Sequence, residues 1–303
     1  MRLASSRPFQ NALAGKELRT RMRGWRSTII LTVYMAILAA IAIGFLVKQA
    51  GPATDQSSQV GLQLFQALAF FQLLLILFIT PASTAGAISG ERQRQTWDLL
   101  LVTRLSSFGV VWGKLVAGLA FNVLLILASL PLFSLVFLFG GVAPDDILHT
   151  YVVFLATILL IGVVSLFISA LSRRLAVTMI VSNVVALAMG GAISLLALYL
   201  EDWGQQTFRP PYGPNGPTPV PLPSLTPLAQ IDPLAALASA LPDTGGGSFL
   251  GGLNPIHHAF GLHFTLDLWA AYALLATAVS ILLIALTTLL VRAAPRWLDA
   301  GSA

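Results

Sequence analysis

The stretch that decides the fold reads YVVFLATILLIGVVSLFISAL (Tyr151–Leu171), then Ser172-Arg173-Arg174, then LAVTMIVSNVVALAMGGAISLLALYL (Leu175–Leu200). Each apolar run is about as long as a helix needs to cross a hydrocarbon core of about 30 Å, and neither holds an ionisable side chain. Two arginines between two such runs read as a tight turn on one membrane face. The pair is a transmembrane hairpin, and the rest of the chain repeats the pattern.

Four further apolar segments flank it: Thr28–Val47, Leu62–Thr80, Leu115–Phe139 and Leu268–Val291. The second is expected to run past Pro81 to Ile88 as a kinked or broken helix, and Pro131 should bend the third by removing a backbone donor. The spans are therefore 28–47, 62–88, 115–139, 151–171, 175–200 and 268–291. The expectation is an all-α integral membrane protein with six transmembrane helices in a single domain over 1–303. The composition agrees: 56% of the 303 residues are hydrophobic and only 10% charged, where a soluble domain carries about a quarter.

Basic residues set the orientation. Seven lie in the first 27 residues, four in the second-to-third connection through Lys114, two at Arg173–Arg174 and two in the tail, fifteen of the seventeen on one side. Only Lys48 and Arg209 fall on the other. Both termini are expected in the cytoplasm of a prokaryote, in the inner membrane. A cleavable signal peptide would need a much shorter basic region and a shorter apolar run. The net charge of +5 thus belongs to a membrane surface, not to nucleic acid.

Residues 1–27 hold an amphipathic surface helix in this reading. Ala14, Leu18, Met22 and Trp25 form its apolar stripe, and Lys16, Arg19, Arg23 and Arg26 lie off it. The external loop, 201–267, contains eleven of the seventeen prolines. Its stretch from Arg209 to Pro227 should be extended, and Pro233–Leu241 should form a short interfacial or re-entrant helix.

Several chemistries are excluded or disfavoured. There is no cysteine, hence no disulfide and no thiolate site. No span carries a mid-membrane ionisable group of the kind that ion-coupled transporters and intramembrane hydrolases use. Gly109-Val-Val-Trp-Gly113-Lys114 is one residue too short for a phosphate loop and is followed by Leu115 where magnesium needs Ser or Thr. His257, His258, His263 and Asp267 match no standard metal spacing. The expectation is no catalytic, cofactor or metal residue in this chain. Neutral polar residues do occur in the spans: Gln63, Gln66, Gln72, Asn122 and Asn183, as helix contacts or as lining of a substrate path.

The cytoplasmic connection 89–108 carries the functional signal. It reads Ser89-Gly-Glu91-Arg92-Gln-Arg94-Gln95-Thr96-Trp97-Asp98-Leu-Leu-Leu-Val-Thr103-Arg104-Leu105. With Gly113-Lys114 downstream, it resembles the permease subunits of type-2 ATP-binding-cassette exporters. Those carry an acidic–basic pair, a Leu-rich helix after Gly-Thr, a Thr-Pro-Leu and a Gly-Lys pair. Lys16-Glu17-Leu18 looks like the surface helix before their first span. Gln95 stands where glycine is common and Arg104 where proline is common. The finer likeness is to permeases of the gliding-motility and copper-maturation type.

The resemblance implies a pair of permease subunits and two cytoplasmic ATPases that hold the ATP and magnesium. It also implies a coupling helix using Glu91, Arg92, Arg94, Thr96, Trp97, Asp98, Thr103 and Arg104. Two alternatives stay open at this level. One is a non-transporting anchor or assembly subunit that works with the same ATPase. The other is an interfacial enzyme built on His257, His258 and Asp267.

Overall fold

The computed structural model describes residues 25–49, 57–95, 107–172, 174–192, 232–242 and 267–299. Among them every regular element is helical. Five stretches are long and apolar enough to cross a bilayer: Ser27–Val47, Ser58–Gln93, Ser107–Leu138, Pro144–Leu171 and Leu268–Arg292. A sixth apolar helix, Leu175–Gly191, is shorter, and the remainder of the expected span to Leu200 lies outside the described residues.

Helix α1 (Trp25–Gln49) buries Tyr34, Leu38 and Ala42, a stripe at four-residue spacing, while Ile29, Val33, Ile37 and Ile43 are exposed. That division is what a helix with lipid on most of its surface shows. Helix α2 (Ser57–Thr84) contains Pro81, is interrupted at Ala85, and resumes as α3 (Gly86–Gln93). The expected break is present, and the helix runs five residues beyond Ile88. Pro81 withdraws the donor that the Leu77 carbonyl would accept. The hydroxyls of Ser83 and Thr84 both donate to the Thr80 carbonyl, at 2.9 and 2.8 Å, which favours a bend.

Helix α4 (Ser107–Ser134) tightens after Pro131 into a 3₁₀ turn, Leu135–Leu138. The chain then reverses through Gly140 and Gly141, both at positive φ. Helix α5 (Pro144–Leu171) opens with proline at its first position and Asp145 and Asp146 in its first turn. The Asp146 carboxylate accepts from the Ala143 N–H at 2.9 Å, which satisfies one of the donors free at a helix start. Helix α6 (Leu175–Leu187) passes into a π-helical turn, Ala188–Ala192. Helices α7 (Pro233–Ala240) and α8 (Leu268–Asp299) complete the described set.

Helix α5 is the axis of the bundle. It packs most extensively on α8, then on α2 and α4, and touches α3, α6 and α7 as well. Hydroxyl pairs cross its contacts: Thr157 with Tyr272 of α8 at 3.0 Å and Tyr151 with Ser129 of α4 at 3.1 Å. Phe133 of α4, fully buried, meets Phe65, Tyr151 and Phe154 edge-on at 5.5–6.3 Å. Such pairs add to the area they bury. Gly118 lets α4 approach α2 closely, since a Cβ there would lie 2.7 Å from Thr84 Cγ2.

The short helix expected over Pro233–Leu241 forms as α7 and is buried. Leu234, Ala236, Leu237, Ala240 and Leu241 join the main core, against α8, α5 and α2. Asp232 caps it by accepting from the Leu234 N–H at 2.8 Å, and Gln66 Nε2 donates to the Pro242 carbonyl at 3.3 Å.

Candidate functional site at the basic end of the bundle

Helix α3, the later turns of α5 and α8, and the start of α4 come together around a second, smaller apolar cluster. Ile88, Val111, Leu115, Val163, Leu166 and Val291 belong to it. This end carries Glu91, Arg92, Arg94, Lys114 and Arg174, the basic face read from the sequence.

Helix α3 has no side-chain cap of its own, because Ala85 stands at its N-cap position. Ser169, from the last turn of α5, supplies one. Its Oγ accepts from the Ile88 N–H at 3.1 Å and the Ser89 N–H at 2.9 Å. In return, Arg92 donates to the Ala170 carbonyl at 2.7 Å, one of the acceptors left open at the end of α5. The two helix termini therefore satisfy each other's backbone.

Glu91 Oε1 lies 3.5 Å from Lys114 Nζ. Lys114 is 2% exposed and Glu91 32%. The acidic residue of the 89–108 segment and the lysine of the downstream Gly-Lys pair, 23 positions apart, thus form one contact. The charges of Glu91 and Arg92 are engaged inside the chain, and Arg94 is exposed. Thr96, Trp97, Asp98, Thr103 and Arg104 lie outside the described residues, as do Lys16, Glu17, Leu18 and Met22. Trp25 opens α1 and is 81% exposed.

Gln95 is the one non-glycine residue at positive φ among the described residues, at +57°. Its N–H donates to the Arg92 carbonyl at 3.1 Å. The chain therefore leaves α3 in the left-handed region, a conformation that glycine adopts without steric cost.

A cleft of about 820 Å³ opens at this end between α1, α2, α3, α4 and α6. Ile30, Ile79, Phe121 and Met179 give it apolar walls, and Glu91 and Arg94 lie at its polar edge.

The neutral polar residues of the spans are dispersed. Gln66 binds α7 as described. Asn122 Nδ2 donates to Ser83 Oγ at 2.9 Å and links α4 to α2. Asn183 donates to its own helix, to the Met179 carbonyl at 2.9 Å. Gln63 is half-buried. Gln72 is fully buried, and both polar atoms of its amide lack a hydrogen-bond partner among the described residues. Sequence reasoning missed Ser169. Nothing distinguishes it there from Ser165, one turn earlier on the same helix.

Asp267 is exposed at the start of α8, and the three histidines expected near it lie outside the described residues. No group of three metal-ligating side chains occurs among the described residues.

A family model described as ABC-2 type transporter matches residues 11–193, more than half of the chain. The matched region includes α1 to α6 and the whole 89–108 segment. A search of curated proteins finds no match.

Proposed function

The chain belongs to the ABC-2 type transporter family, and from that premise we propose that it is the permease subunit of an exporter driven by a separate ATPase. Membrane domains of this family are transmembrane components without ATPase activity of their own, and the family implies work with an ABC ATPase. The proposal adds direction, partner geometry and residues. Two permease subunits pair in a prokaryotic inner membrane with both termini cytoplasmic. Cargo moves outward, as in permeases of the gliding-motility and copper-maturation type.

The observation that supports this reading is the joint between α3 and α5. A loop that only linked two spans would need no such fixation. Here the helix leading into Thr96–Arg104 is tied to the central helix of the bundle by Ser169 and Arg92, and to α4 by Glu91–Lys114. Force applied to the loop by an ATPase reaches α5 without slack. Trp97 is the aromatic anchor on the partner, with Asp98, Thr103 and Arg104 around it. Gln63, Gln66, Gln72, Asn122 and Asn183 divide between helix contacts and the cargo path.

Co-purification of the ATPase with variants at matched membrane levels tests the assignment. Trp97→Ala should lower association by about 30-fold or more, as for a buried interface anchor. Arg94→Ala should lower it by less than about fivefold, as for a rim charge. Full association and full cargo-stimulated ATP hydrolysis with Trp97→Ala would sink the coupling role. Cargo accumulation in inverted vesicles separates an exporter from a non-transporting anchor.

A further inference from the structure

We infer that the cleft between α1 and α6 is a binding site for an anionic phospholipid, with the phosphate at Arg94 and the start of α6 and the acyl chains along the apolar walls. The cleft is bounded by α1 and α6, each of which packs on α2. Its lining is largely apolar: Ile30 of α1, Ile79 of α2, Phe121 of α4 and Met179 of α6 contribute to it. Its polar end is cationic. Arg94 is exposed and lines the cleft, and among the described residues it has no ion-pair partner. Glu91 also lines it, but its carboxylate is matched by the Lys114 ammonium 3.5 Å away.

The start of α6 borders the same cleft. Helix α6 begins at Leu175, which lines the cleft and approaches Gly86 of α3, and its N-cap residue Arg174 makes no side-chain cap. The first turn of a helix presents free N–H groups and the positive end of its dipole, which suits a phosphate. The apolar lining argues for a lipid over a soluble phosphate, since an inorganic anion gains nothing from Ile79 and Phe121. Gly90 leaves room for the headgroup: a Cβ there would meet nothing within 4 Å. This site does not depend on the transport reading, because it needs only the folded chain in a membrane with anionic lipid.

The test is native mass spectrometry of the detergent-purified full chain, without any ATPase, titrated with dioleoyl phosphatidylglycerol or dioleoyl phosphatidylcholine. The wild-type chain should hold its first phosphatidylglycerol about fivefold or more tighter than phosphatidylcholine, the factor one well-placed basic group supplies. Arg94→Gln should erase that preference. Gly90→Leu, which fills the headgroup space, should weaken both lipids. Arg292→Gln, an exposed basic residue of α8 at the same end, should leave the preference intact, and glycerol phosphate in large excess should not displace the lipid. A preference that survives Arg94→Gln, or falls equally with Arg292→Gln, would overturn the site. Displacement by glycerol phosphate would replace the lipid with a soluble anion and overturn it as well.

Discussion

Glu91 and Lys114 differ in burial, and that difference makes their contact asymmetric under mutation. Replacing Glu91 with glutamine leaves an ammonium that is 2% exposed without its opposite charge. Breaking buried pairs in this way costs about 3–5 kcal/mol. The low end, about 3 kcal/mol, applies here, because Glu91 is 32% exposed and water already shares the pair. Replacing Lys114 with methionine removes the buried charge and refills its volume. The Glu91 carboxylate left behind is solvated, so the cost should stay within about 1 kcal/mol. The double variant should then sit within about 1 kcal/mol of wild type, although Glu91→Gln alone does not. Unfolding free energies from detergent-to-SDS titrations, followed by circular dichroism, give all four values of the cycle. If Lys114→Met proves costlier than Glu91→Gln, or the double variant fails to recover, then Lys114 is held by something other than its pairing with Glu91.

Gln95→Gly should stabilise the chain by about 0.5–1 kcal/mol in the same titration. It relieves a left-handed conformation that costs an L-residue about 1–2 kcal/mol, against some added freedom of the unfolded chain. Ser169→Ala should cost about 1–2 kcal/mol, the worth of a helix cap, and should raise hydrogen exchange at Ile88 and Ser89 more than elsewhere in the bundle. Gly61→Ala should cost about 2–3 kcal/mol, because its Cβ would run into the Gly140 carbonyl oxygen, which is backbone. Gly44→Ala, whose Cβ meets nothing within 4 Å, should be neutral or mildly stabilising in the same measurement. Single cysteines at Ser172 and Ser224 in this cysteine-free chain should label from outside the cell only at 224.

Five of the six expected spans were legible in the sequence, because hydropathy and burial in lipid are nearly the same quantity. Helix ends were not. Helix α4 begins at Ser107 and α5 at Pro144, each seven or eight residues before the apolar run, because a helix continues into water wherever its caps and propensities allow. Pro144 with Asp145 and Asp146 was a readable start signal that the apolar criterion passed over. The break at Pro81 was legible because proline acts locally. The segment 89–108 was legible as a motif, but its internal geometry was not. Sequence spacing gives no hint that Glu91 reaches Lys114, or that a serine from α5 caps α3. Both depend on where the third dimension places helices that are distant in the chain. Gln95 is the intermediate case: its departure from glycine was visible, and the reason became plain only with its backbone angle.

Helix α5 waits for its principal partner. The ribosome delivers α5 well before α8, with the long proline-rich connection between them. Until α8 arrives, the face of α5 that holds Thr157 has no Tyr272 to receive it, and α7 has only part of its eventual seat. The contacts that α5 and α7 make with α8 therefore form only after α8 has been made. The length of the connection separates the synthesis of the two halves of this contact.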